Sequence, residues 1–170
     1  MDQGIQIGIQ ISSALAYLHH THISHGSVTP KTIFVSDDLE ICKLGSYSNL
    51  RKLDTPDSNQ LKTQSTADIY HTVYSINTLS NDIYQLGLLL YTALTGDEDT
   101  DMEYRTEYAT ARFPMLTSQP ESKLRIGLAL QRLPQGIAAV IEKCIIQNAS
   151  ERASAQEIHE LLVNLQEPVT

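Results

Sequence analysis

Cysteine is scarce in this sequence, which contains only Cys42 and Cys144 among its 170 residues. Both lie in segments that are otherwise apolar, and two isolated cysteines do not form the even, patterned set on which a disulfide framework is built. We therefore expect two buried free thiols. Free thiols are typical of a reducing compartment, so the sequence predicts an intracellular, cytoplasmic protein.

Basic residues are also in short supply. Twelve lysines and arginines stand against twenty aspartates and glutamates, which gives a formal net charge of −8. A chain of this charge is repelled by phosphate backbones, and this argues against nucleic-acid binding as the main activity. A protein with a basic surface is a more favourable partner for this acidic chain than a nucleic acid.

Long apolar runs and a leader sequence are missing as well. No basic segment, apolar run and small-residue site open the chain, as they would in a signal peptide. The longest apolar run is far shorter than a membrane span. We expect a soluble protein that does not contact a membrane.

The apolar residues that are present suffice for one core. A length of 170 residues is about that of one ordinary domain, and 41% hydrophobic with 19% charged residues is typical of a folded chain. No internal repeat, low-complexity tract or linker divides the sequence. The prediction is a single domain that spans residues 1–170.

Apolar periodicity and capping residues predict four helices. The first rests on apolar residues at helical spacing, although the alternation from residue 5 to residue 11 would also suit a strand: Ile7, Ile11, Leu15 and Leu18. The second, SNDIYQLGLLLYTALTG, begins with capping residues, ends at Gly96 and is apolar on most faces. A helix apolar on all sides is expected to be buried on all sides.

The two remaining helices lie near the C-terminus. One has Pro134 at its first position and an apolar stripe: Ile137, Val140, Ile141, Cys144 and Ile145. The other begins with a capping box of Ser154 and Glu157 and directs four apolar residues toward the core: Ile158, Leu161, Leu162 and Leu165.

The sequence predicts one β-hairpin and two irregular regions. The hairpin joins the apolar runs at 32–35 and 40–44 through the turn SDDL. Residues 51–66 are polar and without periodicity, which indicates an exposed loop. Residues 97–120 form a second irregular region with room for a short helix. The fold class is therefore mainly α with one small hairpin.

The order of these segments resembles the C-terminal lobe of eukaryotic-type protein kinases, over nearly the whole chain. The stretch ALAYLHHTHISHGSVTPKTIFVSDDLEICKLGSYSNL is similar to the kinase helix, catalytic loop, hairpin and Asp-Phe-Gly segment. By this resemblance Asp82 braces the backbone of the catalytic loop from the buried central helix. Arg152, in IEKCIIQNASERASAQEIHELL, stands at the family's buried arginine.

The same resemblance places neutral residues where kinases carry their reactive groups. Ser27 stands at the catalytic aspartate, Thr32 at the magnesium-binding asparagine and Ser46 at the aspartate of Asp-Phe-Gly. Phosphoryl transfer depends on those groups for positioning and charge neutralisation. Gly26 replaces the arginine that meets an activation-loop phosphate. We therefore expect no catalytic residue, no metal ligand and no productive ATP binding.

Two further expectations concern missing parts. Counting back from Asp82, no Ala-Pro-Glu precedes the central helix and residues 68–70 stand near its place, so Arg152 is expected to lack its family glutamate. The chain is also expected to lack the N-terminal lobe, with its glycine-rich loop and strand lysine.

The resemblance implies a non-enzymatic pseudokinase that scaffolds or regulates kinase signalling. Its expected partners are proteins, such as an active kinase or its substrate, or a second copy of the chain. The alternative is a fragment of a larger serine/threonine kinase whose ATP-binding lobe lies outside this chain.

Three other interpretations are weaker. The stretch HHTHISH at residues 19–25 contains the pairs His19 with His22 and His22 with His25, whose spacings occur in zinc sites, but no cysteine or further histidine lies near the stretch to complete four ligands. The resemblance instead places His25 at the kinase loop histidine, which packs into the core, and His19, His20 and His22 at a helix end and an exposed turn. A hydrolase would pair Ser27 with His25, yet His-Gly-Ser without a following glycine is a poor nucleophile motif. The acidic run at 97–101 lacks the glycine of a calcium loop, since Met102 stands in its place.

Overall fold

The computed structural model describes residues 2–38, 40–53, 78–96, 126–146 and 148–166. Most of these residues are helical, as the sequence predicts. The four helices with bounds inside the described ranges are α1 (Asp2–His20), α2 (Thr78–Thr95), α3 (Gln135–Ile145) and α4 (Ala155–Gln166). Residues 126–130 are also helical. The irregular region predicted at 97–120 and most of the one at 51–66 lie outside the described residues.

Two helix ends confirm the capping chemistry read from the sequence. The prediction that Ser80 and Asn81 cap the start of α2 is wrong, because α2 begins at Thr78 and both residues lie inside the helix. Gly96 follows α2 with a φ of +69°, and its N–H donates to the carbonyl of Thr92 at 2.9 Å. This left-handed residue after the last helical turn is a conformation that glycine adopts without strain. At the start of α4, the Glu157 N–H donates to Ser154 Oγ at 3.2 Å and the Ser154 N–H donates to Glu157 Oε2 at 3.4 Å.

Helix α2 lies at the centre of the core and contacts both α1 and α3. Its residues 86–91 are all buried, which confirms the prediction of a helix enclosed on all sides. Two glycines allow the close approach of its neighbours. A Cβ on Gly8 of α1 would lie 2.5 Å from Leu90 Cδ2, and one on Gly87 would lie 2.5 Å from Cys144 Cβ.

Helices α3 and α4 pack by the predicted stripes, with one exception. Pro134 lies just before α3, and its carbonyl accepts the N–H groups of Ile137 and Ala138 at 3.1 Å. Ile158 and Leu162 of α4 are fully buried, whereas Leu165 is 39% exposed. The prediction that Leu165 points into the core is wrong, because its side chain lies over Gly136 at the start of α3, where solvent still reaches it.

The strands form two small antiparallel pairs. Strands β2 (Ile33–Val35) and β3 (Cys42–Leu44) form the predicted hairpin. Strands β1 (Ile23–Ser24) and β4 (Arg51–Lys52) form a second pair. The predicted hairpin is therefore confirmed, whereas the β1–β4 pair, which joins distant segments and is not a hairpin, was not predicted. Strands of two residues are too short to produce an apolar alternation, and the β4 side chains are exposed and polar, so this part of the chain resembles a loop.

Both cysteines are buried free thiols, as predicted. Within the described residues, no helix is long and apolar enough to span a membrane.

Candidate functional site

The loop at residues 25–32 is held in place by one buried carboxylate at the start of α2. Asp82 is fully buried, and its two oxygens accept backbone N–H groups from the loop. Oδ2 accepts the His25 N–H at 2.8 Å, and Oδ1 accepts the Gly26 N–H at 2.7 Å. Hydrogen bonds to a buried ionised acceptor are stronger than those between neutral groups. Asp82 braces the loop backbone, as the sequence predicts.

A third donor reaches Asp82 from the end of α1. His19 Nε2 lies 2.9 Å from Asp82 Oδ2, and the His19 side chain is only 12% exposed. His19 lies in the last turn of α1, at the helix end where it was predicted, but its side chain is largely buried, whereas His20 and His22 are exposed as predicted. His19 joins α1 to α2 directly above the loop, so its carboxylate contact belongs to the same support.

His25 is the second buried anchor of the loop. Its Nε2 donates to the Gly45 carbonyl at 2.9 Å, which ties the loop to the residue after β3. Its Nδ1 is buried and has no hydrogen-bond partner among the described residues. The Tyr47 ring meets the imidazole edge-on, with 6.5 Å between centroids. His25 is thus packed into the core as predicted, and its burial speaks against pairing with Ser27 in a hydrolase.

Gly26 occupies a position that suits glycine alone. Its φ is +72°, and a Cβ built on it would lie 2.8 Å from the Asn49 carbonyl oxygen. A non-glycine residue with this φ is strained, and the segment after β3 leaves no room for a side chain. The positive φ and the nearby Asn49 carbonyl therefore leave no place for an arginine at this position.

The hydroxyl of Thr32 closes the loop from within. Thr32 Oγ1 lies 2.7 Å from the Ser27 carbonyl and 2.9 Å from the Thr29 carbonyl, and it accepts the Thr29 N–H at 3.1 Å. Gln85 of α2 adds a further support, since its Oε1 accepts the Val28 N–H at 2.7 Å. Thr32 is buried and Ser27 half-buried. The Thr32 oxygen is thus committed to holding the turn.

Ser46 lies at the mouth of the same region. It is exposed and has a φ of +65°, and it precedes a short 3₁₀ helix, Tyr47–Asn49. The residue before it, Gly45, accepts from His25, so Ser46 begins where the chain leaves its contact with the loop. The Tyr47 hydroxyl donates to the Leu44 carbonyl at 3.2 Å. Ser27 and Thr32 are therefore joined by a hydrogen bond within the loop, and Ser46 directly follows the residue to which the loop is tied.

Arg152 is half-buried and links the turn before α4 to the start of α2. Its Nε donates to the Ile146 carbonyl at 2.6 Å and one terminal nitrogen donates to the Ser80 carbonyl at 3.0 Å. The guanidinium carbon lies 4.7 Å from the centre of the Tyr84 ring, a cation–π distance. Residues 68–70, near which the family glutamate of Arg152 was expected, lie outside the described residues.

A groove of about 870 Å³ lies between the end of α1 and the starts of α2 and α4. Its titratable side chains are those of Tyr17, His19, His20, Arg152 and His159. No residue of the 25–32 loop lines the groove, but His19 belongs both to the groove and to the support around Asp82.

The described residues hold no group of three or more histidine, cysteine, aspartate or glutamate side chains arranged to bind a metal ion. Among the histidines considered for a zinc site, His19 and His25 each have Nε2 at hydrogen-bond distance from a protein oxygen atom. The acidic run at 97–101 lies outside the described residues.

Comparison with known proteins identifies the family of the chain. The family model of protein tyrosine and serine/threonine kinases matches residues 1–162. The chain therefore belongs to the protein kinase superfamily, as the resemblance of its motifs predicts. The mainly helical fold with small two-stranded sheets is compatible with a kinase-like fold.

Individual relatives are distant kinases from several kingdoms. The chain is 25% identical, over 95% of its length, to a Drosophila melanogaster protein named as mitogen-activated protein kinase kinase kinase 7-like. It is 26% identical, over 93% of its length, to the LEAF RUST 10 disease-resistance locus receptor-like protein kinase-like 1.3 of Arabidopsis thaliana. It is 28% identical, over 95% of its length, to serine/threonine-protein kinase PknK of Mycobacterium tuberculosis. The chain spans 41%, 25% and 14% of these three proteins, respectively.

Sequence reasoning found Asp82, His25 and Arg152 but missed three supports of the loop. His19 resembles any histidine at a helix end, and Gln85 resembles any polar residue within a helix. The role of Gly26 depends on its positive φ, which is invisible in the sequence.

Proposed function

We propose that this chain is a kinase-like C-terminal lobe that acts by binding proteins and does not transfer phosphate. Its proposed role is that of a pseudokinase scaffold or regulator in kinase signalling, with a protein kinase or its substrate as partner. Family membership supports the kinase-like fold, and the side chains of the loop support the loss of chemistry.

The observation that carries the proposal is that the carboxylate next to the loop is already occupied by hydrogen bonds and that the loop has no other acidic residue. Asp82 is the carboxylate in contact with the loop, and its two oxygens already accept two N–H groups and face His19. Residues 25–32 and 45–48 contain no acidic residue. A base that orients a substrate hydroxyl and carboxylates that hold magnesium are the parts on which phosphoryl transfer depends.

The hydroxyl groups that stand in the corresponding places are poor substitutes. Magnesium in phosphate sites is bound through carboxylates, phosphates and waters in octahedral geometry. Thr32 is buried with its oxygen committed to the turn, and Ser27 and Ser46 are neutral. These positions therefore favour a loop whose polar groups hold its own shape and that serves as part of a surface.

The first experiment is a thermal-shift titration of the purified chain with ATP, with and without magnesium. A ligand that binds the folded state raises its melting temperature in a saturable way. We expect no saturable shift under either condition. A magnesium-dependent shift would overturn the proposal and restore an enzymatic or nucleotide-switch function.

A second candidate function is supported by the partial coverage of the relatives. The chain spans less than half of each of the three kinases compared above, as would a fragment of a larger serine/threonine kinase. The two candidates are separated by joining the chain to an active kinase N-terminal lobe and measuring phosphate transfer. The variant that combines Ser27→Asp, Thr32→Asn and Ser46→Asp serves as the restored control. We expect no transfer from the unmodified fusion, and transfer from it would favour the fragment.

A further inference from the structure

We propose that the chain forms a dimer in which strand β2 of one copy pairs antiparallel with β2 of a second copy. This inference goes beyond the proposed function, because it names a surface for self-association and does not require a kinase or a substrate as partner. It follows from the hydrogen bonds of the hairpin, from an exposed aromatic ring and from the charges at the two ends of β2.

The hairpin ladder shows which backbone groups of β2 point away from β3. The Ser36 N–H and the Thr32 carbonyl both bond to the opposite arm of the hairpin, each at 2.8 Å. Along an antiparallel strand, residues that face the partner strand alternate with residues that face away. The N–H and C=O groups of Ile33 and Val35 therefore point outward, and they have no hydrogen-bond partner among the described residues.

The outer edge of β3, by contrast, is already covered. Gln10 Oε1 of α1 accepts the Cys42 N–H at 2.7 Å, and Gln10 Nε2 donates to the Glu40 carbonyl at 2.9 Å. The Tyr47 hydroxyl donates to the Leu44 carbonyl at 3.2 Å. Within the described residues the hairpin thus has its open edge along β2. A strand edge with unpaired N–H and C=O groups is a template for a further strand.

The outward-facing groups of β2 are self-complementary. In an antiparallel pair of β2 strands centred on Phe34, Ile33 of one copy lies opposite Val35 of the second copy, and the reverse pair forms on the other side. Each pair exchanges two N–H···O bonds. The outward groups of both strands are then satisfied. The product is a four-stranded sheet, a common size, whereas an isolated two-stranded hairpin is marginally stable.

The same register places an exposed aromatic ring at the centre of the interface. Phe34 is 62% exposed, and its ring rests on Gly45, where an added Cβ would lie 2.6 Å from Phe34 Cε2. The two Phe34 residues form a non-hydrogen-bonded pair, the arrangement in which opposite side chains lie closest. Aromatic pairs across strands at this spacing stabilise a sheet. A second copy therefore covers a ring that is mostly exposed in the single chain.

Opposite charges come together at both ends of the paired strands. Lys31 lies two residues before β2 and Asp37 two residues after it, and both are exposed. Neither forms an ion pair with another described residue. Because the strands run antiparallel, Lys31 of each copy comes to the end that carries Asp37 of the other copy. This charge complementarity favours a second copy over an arbitrary extended segment.

The size of the interface sets the expected affinity. An interface built around three residues of each copy is far smaller than the roughly 20–30 residues a side of a stable complex, and small interfaces belong to weak associations. The formal charge of −8 on each copy also opposes association at low ionic strength. At physiological ionic strength, charges farther apart than about 8 Å are largely screened. We expect a reversible dimer with a dissociation constant in the micromolar range.

The first test is sedimentation equilibrium of the full chain at physiological ionic strength, from about 1 µM to about 1 mM. We expect the mass to rise to that of a dimer and no further, because a two-fold pair uses the open edge of both copies. Val35→Pro removes an outward N–H but no hydrogen bond of the hairpin, and edge strands accept proline at such a position. It should be monomeric. The control, Val35→Thr, keeps the N–H and should dimerise as the unmodified chain does.

Two charge reversals test the antiparallel register without altering the backbone. Lys31→Glu and Asp37→Lys each bring two like-charged pairs together in their own dimers, which we expect to be about fivefold weaker. In a mixture of the two variants, the mixed dimer has both opposite-charge pairs. It should therefore form in preference to the dimer of either variant, as measured by sedimentation of one fluorescently labelled variant with the other. The control, Lys143→Glu, makes the same charge change as Lys31→Glu at an exposed site on α3 and should dimerise normally.

A further matched pair tests the aromatic contact. Phe34→Ser removes the central ring, whereas Leu128→Ser removes an apolar side chain that is 53% exposed and lies outside the hairpin. Only Phe34→Ser is expected to weaken the dimer, by severalfold.

Four outcomes overturn the inference: a monomer at every concentration, oligomers larger than a dimer, a dimer that Val35→Pro leaves intact, or a mixture of the charge variants that associates no better than either variant alone. The charge variants keep the inference testable if Val35→Pro does not fold. None of these measurements involves nucleotide, so their failure is distinguishable from failure of the proposed function, which the ATP titration reports.

Discussion

The loop at residues 25–32 and its surroundings contain residues that hold the loop in place and residues that face solvent, and the two sets differ in chemistry. The holding groups, Asp82, His25 and Thr32, are buried and hydrogen-bonded to the loop. The presented residues Ser27 and Ser46 are neutral and reach solvent. The comparison teaches that the shape of a kinase loop can depend on residues other than those that perform chemistry.

The largest expected effect comes from removing the carboxylate that holds the loop. Asp82→Ala leaves the N–H groups of His25 and Gly26 without their acceptor in a buried place. We expect the free energy of unfolding to fall by about 3 kcal/mol, measured by urea denaturation. The matched control is Glu142→Ala, which removes an exposed acid from α3 and should change stability by less than about 0.5 kcal/mol.

Asp82→Asn provides a milder version if the alanine variant does not fold. The amide keeps one acceptor oxygen but presents an NH₂ group to one of the two N–H donors, so we expect an intermediate loss. If Asp82→Ala were as stable as the unmodified chain, Asp82 would not be a residue that holds the loop.

A smaller loss is expected at the glycine of the loop. Gly26→Ala places a side chain at a φ of +72° and 2.8 Å from the Asn49 carbonyl, which should lower the free energy of unfolding by about 2 kcal/mol. The control, Gly127→Ala, lies at an exposed position of the helical segment 126–130, with nothing within 4 Å of the added Cβ. It should stabilise the chain by up to about 1 kcal/mol. If Gly26→Ala does not lower the free energy of unfolding, the backbone of the loop does not require glycine.

The hydroxyl groups of Thr32 and Ser27 provide the most direct comparison between a residue that holds the loop and a residue that faces solvent. Thr32→Val keeps the shape of the side chain but removes the oxygen that accepts from Thr29 and faces the Ser27 carbonyl. We expect a loss of about 1 kcal/mol in thermal or urea unfolding. Ser27→Ala should change stability by less than about 0.5 kcal/mol. A larger effect for Ser27 than for Thr32 would reverse the assignment of the two positions.

The sequence predicted those parts of the fold that depend on local patterns. Gly96 after α2 and the Ser154–Glu157 box at α4 are capping chemistry contained within a few residues. The position of Asp82 was predicted from the family resemblance, because a single buried aspartate in an apolar helix has no local explanation.

The parts that were missed depend on contacts between residues far apart in the chain. Strand β4 was taken for the start of a loop because its pairing with β1 is set by the path of the intervening chain. Leu165 was assigned to the core because the stripe of α4 extends to it, but the neighbouring helix presents Gly136 and leaves it accessible. The role of His19 depends on where α2 places its first turn.

The smallest expected effect concerns the chemical reactivity of the two thiols, which compares the helical core with the hairpin. Burial raises the pKa of the Cys144 thiol to about 12, against an ordinary value of 9.0, although the nearby Arg152 charge acts in the opposite sense. Burial also raises the pKa of the Cys42 thiol. Because the thiolate is the reactive form, little of either group is available to a disulfide reagent near pH 8 in the folded state. The raised pKa also means that ionisation favours the unfolded chain once the pH exceeds 9.

Local opening should then decide which thiol reacts first. Cys42 lies at the edge of a hairpin that three residues of each strand hold together, whereas Cys144 is packed against Gly87 between two helices. Small exposed elements open at lower free energy than a helical core. We expect Cys42 to be labelled severalfold faster than Cys144, measured on Cys144→Ala and Cys42→Ala variants, and labelling of Cys144 to follow global unfolding in urea. Equal labelling rates would mean that loop and core open together, and the distinction between a supporting core and a separately mobile hairpin would not hold.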